Sequence, residues 1–198
     1  MNEVFMLSGL TCGLIGYACL VLFDLNLLSR NNDRLETLYS LGGGFLLLGI
    51  LQDLPNGKPT LPMAVRIVTG VLAVAFLVLI FYTCFLYGTR SKWRKAERED
   101  RTHPWYDRKL NDKGIFALCR HPVVWLNVLF FLCLRAATGY PYVQTILFSV
   151  LGFVLALVED RIFLPRTIPG YAQYKTTTPF LFPNRRSVAR CRETWNQK

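Results

Sequence analysis

The feature that most constrains this chain is a series of apolar runs, each with at most one charged residue, set between segments that hold nearly all the charge. The runs are Val4 to Leu28, Thr37 to Leu54, Leu61 to Tyr87, Val123 to Thr138 and Tyr142 to Val158. A helix rises ~1.5 Å per residue, so about 20 apolar residues cross the hydrocarbon core of a bilayer. A composition of 52% hydrophobic and 18% charged residues is too apolar for an ordinary soluble domain of 198 residues. The expected fold is all-α: a polytopic membrane helical bundle of about five transmembrane helices.

The charges orient that bundle. Segments 30–36, 88–122 and 159–198 carry two, ten and eight Lys or Arg, 20 of the 23 in the chain. The positive-inside rule then selects an N-out, C-in topology. The net charge of +10 avoids the apolar runs, which fits membrane topology rather than a nucleic-acid surface, although a basic face also attracts anionic lipid. The expected layout is one membrane domain, 1–198. It holds three spans in 1–87, a basic cytoplasmic segment in 88–122, a helical hairpin in 123–158 and a cytoplasmic C-terminal segment in 159–198. Met-Asn-Glu-Val lacks the positive start of a secretory signal, so the first run reads as a retained span.

Within the runs most features point to packing. Gly9, Gly13 and Gly16, with Cys12 beside them, give the first run a face of small residues that another helix can approach closely. Gly42-Gly43-Gly44 weakens the helical tendency of the second run. Pro55-Asn56-Gly57-Lys58-Pro59 and Gly139-Tyr140-Pro141 are turns. Arg66, near the start of the third run, is placed to snorkel to the surface. Trp93, Trp105 and Tyr106 in the basic segment are interface anchors. Six cysteines without C-x-x-C spacing suggest neither a disulfide framework nor a zinc site, and two histidines are too few for a histidine-built metal centre.

Two polar stretches stand apart. The first, Asp112 to Pro122, ends in Arg120-His121-Pro122. Pro122 suits the first position of a helix, where its missing N–H costs nothing. Arg120 and His121 would then lie near free backbone N–H groups, an anion-binding corner, or alternatively a snorkelling arginine beside an interfacial histidine. The second stretch starts at Glu159-Asp160 and continues through Tyr171, Tyr174, Pro179 and Pro183. A hairpin between the two returns the chain to the face it left at Arg120, so the Arg-His pair can meet a carboxylate there.

In these residues the chain resembles the integral-membrane superfamily of isoprenylcysteine carboxyl methyltransferases and phospholipid methyltransferases. Gly114, Phe116, Arg120, His121 and Pro122 match its Gly-x-aromatic-x-x-x-Arg-His-Pro element. Glu159 and Asp160 fall on its acidic pair, Phe163 on the following leucine, Tyr171 and Tyr174 on its Tyr-x-x-Tyr, and Pro179 and Pro183 on its closing prolines. The match covers roughly residues 110–185. The chain departs from the pattern at Val124 and Leu126, where the family has Tyr and Gly, at Thr167-Ile168, and in the shorter Asp160.

The resemblance implies S-adenosylmethionine as cofactor, held on the cytoplasmic side by Gly114, His121, Pro122, Tyr171, Tyr174 and Pro179. It implies Arg120 and Glu159 as catalytic residues and a lipophilic, membrane-borne or prenylated small substrate, with membrane lipids as surroundings and no metal or nucleic acid. A carboxylate acceptor needs only an arginine to orient it, whereas an amine or thiol must lose a proton, for which Glu159 is the base. Two other classes remain open: an NADPH-dependent membrane reductase related to sterol reductases, and a non-catalytic membrane protein that keeps the fold.

Overall fold

A computed structural model describes residues 8–29, 35, 37–87, 110 and 112–195. Among them the chain is helical, with no strand. Three helices are long and apolar enough to cross a membrane, Gly9–Asn26, Thr37–Asn56 and Met63–Cys84, and a shorter apolar helix covers Pro122–Thr138. A helical, membrane-type protein is therefore what the sequence encodes. The hinge at 30–36, apart from Leu35, and the basic stretch 88–109 with Trp93, His103, Trp105 and Tyr106 lie outside the described residues. Contacts divide the chain into two compact units. One comprises Met1–Ala73 and Phe131–Leu151, the other Val74–Phe130 and Gly152–Lys198.

The first unit contains α1 (Gly9–Ser29), α2 (Thr37–Asp53) and the first part of α3 (Met63–Phe81). The backbone N–H of Thr11 donates to Ser8 Oγ at 3.2 Å, which caps the start of α1. Helices α1 and α2 meet through glycine. A Cβ on Gly16 would lie 2.9 Å from the carbonyl oxygen of Gly42, and one on Gly49 would lie 2.5 Å from that of Gly9. The small-residue face of α1 is thus a helix contact, as expected.

The Gly42-Gly43-Gly44 stretch does not interrupt α2, which runs unbroken from Thr37 to Asp53. Gly42 is held by its contact with α1, and without competing water the helical N–H and C=O groups have no better partners than each other. Arg66 also does more than snorkel. Its Nε donates to Ala137 O at 3.0 Å, serving a carbonyl in the last turn of α5 (Pro122–Thr138), where intrahelical partners run out. Met63, Ile67, Val68 and Val71 of α3 are exposed apolar residues, the surface that lipid contact requires.

The second unit builds its order from short elements: α4 (Ile115–Leu118), the C-terminal part of α6 (Tyr142–Val158), α7 (Leu164–Thr167), α8 (Tyr171–Thr177) and α9 (Arg185–Thr194). Pro122 opens α5, as its chemistry predicts. Between α6 and α7 the helix widens into a π-turn, Glu159–Phe163. That turn shifts the angular phase of the helix, and Asp160, Phe163 and Thr167 all end up buried. Gly170 turns the chain into α8 at φ +80°, a left-handed conformation that glycine adopts without strain. Asn184 and Ser187 exchange two hydrogen bonds of 2.9 Å across the first turn of α9, a capping box that fixes where this helix begins.

Candidate functional site

The site is assembled within the second unit, from the end of the α4 segment, the π-turn, α8 and the strap that follows it. After α4 the chain is extended at Cys119 (φ −154°, ψ 159°) and presents two successive backbone amides to the strap. Arg120 N–H donates to Pro179 O at 2.9 Å, and His121 N–H donates to Phe180 O at 3.2 Å. One turn into α5, Trp125 Nε1 donates to Leu181 O at 2.9 Å. Val124, Ala156 and Leu181 form a buried apolar cluster with Phe180 packed against it. The amides of Arg120 and His121 themselves are taken by strap carbonyls.

At the centre lies Asp160, buried to 4% exposure. Arg120 grips its carboxylate with two donors, Nε to Oδ1 at 2.7 Å and Nη2 to Oδ2 at 3.2 Å. Tyr171 Oη donates to Oδ1 at 2.7 Å, Lys175 Nζ stands 3.2 Å from Oδ2, and His121 Nε2 is 3.5 Å from Oδ1. Burial pushes the Asp160 carboxyl up, but the hydrogen bonds from His121, Arg120, Tyr171 and Lys175 outweigh it and hold the group well below the usual carboxylate range. Tyr171 shifts the opposite way: burial, then the adjacent Asp160, raises its phenol well above the ordinary value, so it stays a donor. Two cations and one buried anion with every oxygen engaged make a rigid polar core.

Arg120 has little left to offer a ligand. Besides its two bonds to Asp160, its Nη1 donates to Lys175 O at 3.1 Å and Thr178 O at 2.5 Å, and its guanidinium lies 5.8 Å from the Phe180 ring centroid. Glu159 is placed differently. Its side chain keeps 30% exposure, with Oε2 3.8 Å from His121 Nδ1, so it is the more accessible member of the acidic pair. His121 sits between the two carboxylates, one facing each ring nitrogen, and its ring packs edge-on against Phe180 at 5.1 Å.

The remaining residues predicted from sequence lie in the same unit but not all at this centre. Tyr174 packs edge-on against Tyr171 at 5.6 Å and donates to Phe116 O at 2.5 Å, which ties α8 to α4. Gly114 is buried at φ +57°, a conformation unfavourable for other residues, and its N–H donates to Thr194 Oγ1 at 3.1 Å. Pro122 is buried at the head of α5, and Pro179 contributes its carbonyl to the strap pairing. Sequence reasoning missed Lys175. Its signal was available, because Lys175 stands four residues after Tyr171 on α8 and so shares its face. It also missed Thr178, whose Oγ1 is buried without a hydrogen-bond partner among the described residues. Burial pushes the thiol of nearby Cys119 up to about 11. Among the described residues no group of three or more His, Cys, Asp or Glu is arranged to hold a metal ion.

No family model matches the chain. It is 28% identical over 176 residues to the cobalt-zinc-cadmium resistance protein CzcN of Cupriavidus metallidurans, an alignment spanning 85% of this chain and 74% of that one. No solved structure matches it.

Proposed function

We propose that the chain is an integral-membrane, S-adenosylmethionine-dependent methyltransferase acting on a lipophilic or membrane-borne small molecule. It crosses the bilayer five times, N-out and C-in, and works at the cytoplasmic face. One observation carries the reading: the residues through which the methyltransferase resemblance runs, Arg120, His121, the acidic pair and Tyr171, converge around one buried carboxylate. The spacing of the apolar runs and the clustering of 20 of 23 Lys and Arg between them support the topology.

The residues at the edge of this cluster fit a zwitterionic cofactor. Glu159 and Lys175 keep 30% and 33% side-chain exposure and offer both signs of charge. Thr178 Oγ1 adds a buried hydroxyl that has not been used. When bound, S-adenosylmethionine supplies a methyl group already activated for displacement. The protein's part is alignment and exclusion of water, for which a rigid core around Asp160 is suited.

The same geometry favours one kind of acceptor. With its donors taken by Asp160, Lys175 and Thr178, Arg120 is a positioning residue rather than a handle for a substrate carboxylate. An amine or thiol acceptor, which must shed a proton, instead uses Glu159 as base, steadied by His121. From the similarity to CzcN we add a contribution to tolerance of cobalt, zinc or cadmium, exerted through the methylated molecule.

Calorimetric titration of the detergent-purified chain with S-adenosylhomocysteine tests the proposal, beside a Glu159→Gln variant assayed for methyl transfer. Micromolar binding in both proteins, with turnover lost only in the variant, is the expected result. A folded protein that ignores S-adenosylhomocysteine overturns it, and titration with NADPH then decides whether a reductase stands in its place.

A further inference from the structure

The site absorbs α4, the π-turn and α8, and leaves one face of α9 unexplained. Helix α9 turns its Ser187, Arg190, Cys191 and Thr194 side inward. Ser187 is 1% exposed, Arg190 pairs with Asp112 and donates to Thr177 Oγ1 at 3.0 Å, and Thr194 holds the Gly114 amide. At 100° per residue the opposite side carries Arg185, Arg186, Ala189, Arg192 and Glu193, all exposed. Arg185, Arg186 and Arg192 make no ion pair or hydrogen bond among the described residues. Large exposed aromatics bracket this arginine face, Phe182 at 72% and Trp195 at 65%.

The depth of this face is set by a span. Trp125 stands in the first turn of α5, and Phe182 meets its ring edge-on at 5.4 Å. A tryptophan one turn inside an apolar helix lies at the headgroup level of a bilayer, so Phe182 is held at that level too. Helix α9 begins three residues later. Cations flanked by aromatics at headgroup depth match the chemistry of an anionic lipid surface, with the charges among phosphates and the rings at the acyl boundary.

We infer that the Arg185–Arg186–Arg192 face of α9, with Phe182 and Trp195, docks onto anionic phospholipid headgroups of the leaflet that Pro122 enters. The docking does not depend on the methyltransferase reading. Because α9 is fastened to α4 through Gly114 and Asp112, lipid composition on that leaflet bears on the segment leading to Arg120.

The test uses the full chain in lipid nanodiscs, either neutral phosphatidylcholine or phosphatidylcholine mixed with phosphatidylglycerol. Acrylamide quenching is measured for the wild type and for Trp195→Phe, and their difference isolates Trp195. The expected result is at least about a twofold drop in Trp195 accessibility in the anionic discs. High salt should reverse it, and Arg185→Gln/Arg186→Gln/Arg192→Gln should abolish it, since each basic residue near such a surface shifts the ratio of docked to undocked helix by about fivefold. Equal quenching in both kinds of disc overturns the inference. So does equal shielding in both that survives the triple substitution, because apolar insertion alone then accounts for the contact.

Discussion

The two units of this molecule hold their helices together by opposite means. In the first, α1 and α2 touch where neither has a side chain, Gly16 against Gly42 and Gly9 against Gly49. In the second, the order comes from one carboxylate, Asp160, that collects Arg120 and His121 from one stretch of chain and Tyr171 and Lys175 from another. Lipid explains the first solution, because apolar side chains gain nothing by leaving it and only close backbone approach gives packing. The second needs partners of opposite charge away from competing water. Glycine contacts set distance, and the Asp160 cluster sets direction.

The sharpest way to break that contrast is Asp160→Ala. It strips Arg120 and Lys175 of their counter-charge while Arg120 stays buried, so unfolding should cost about 3–5 kcal/mol less. Thermal denaturation in detergent measures this, and a loss confined to a few tenths would show that the cluster does not hold the unit together. Acid reaches the same group. Because the folded-state pKa of Asp160 is depressed, its contribution is full above the unfolded value of about 3.9 and fades as pH falls further. Stability read against pH should therefore show no step from this group near neutrality and a loss in strong acid.

A smaller effect is expected in the first unit. Gly49→Ala places a methyl 2.5 Å from the backbone oxygen of Gly9, and backbone has no side-chain torsion with which to yield. Such overpacking should destabilise by about 1–3 kcal/mol. The same denaturation assay checks it, with an unchanged midpoint arguing that α1 and α2 are not closely apposed. The smallest effect sharpens the comparison from within one helix. Gly44, five residues from Gly49, has nothing within 4 Å of an added Cβ. Gly44→Ala should be neutral or stabilise by up to about 1 kcal/mol from helix propensity.

What could be read from the sequence divides along the same line. Apolar runs announced the helices α1, α2, α3, α5 and α6, because a long apolar run is a property of composition and needs no partner to be named. The Gly9–Gly16 face was legible for the same reason. The meeting of Arg120 with the acidic pair followed from hairpin geometry. The assignment within that pair did not, since Glu159 and Asp160 are neighbours and only the phase of the π-turn decides which one is buried. Nor did the pairing of the Arg120 and His121 amides with Pro179 and Phe180, where backbone groups leave no trace in residue identity. Arg66 serving Ala137 belongs to the same class: the arginine was visible, and the carbonyl waiting for it was not.

The strap has a consequence in time. Arg120 reaches Thr178 O and Trp125 reaches Leu181 O across 58 and 56 residues of chain. At a synthesis rate of roughly 5–20 residues per second, Arg120 and Trp125 leave the ribosome several seconds before the carbonyls that will accept from their side chains. The polar core is therefore completed last. A nascent chain released before Phe180 would carry its apolar runs in order and its Asp160 cluster without the strap that closes over it, which makes the C-terminal segment the point at which a finished molecule differs from a merely inserted one.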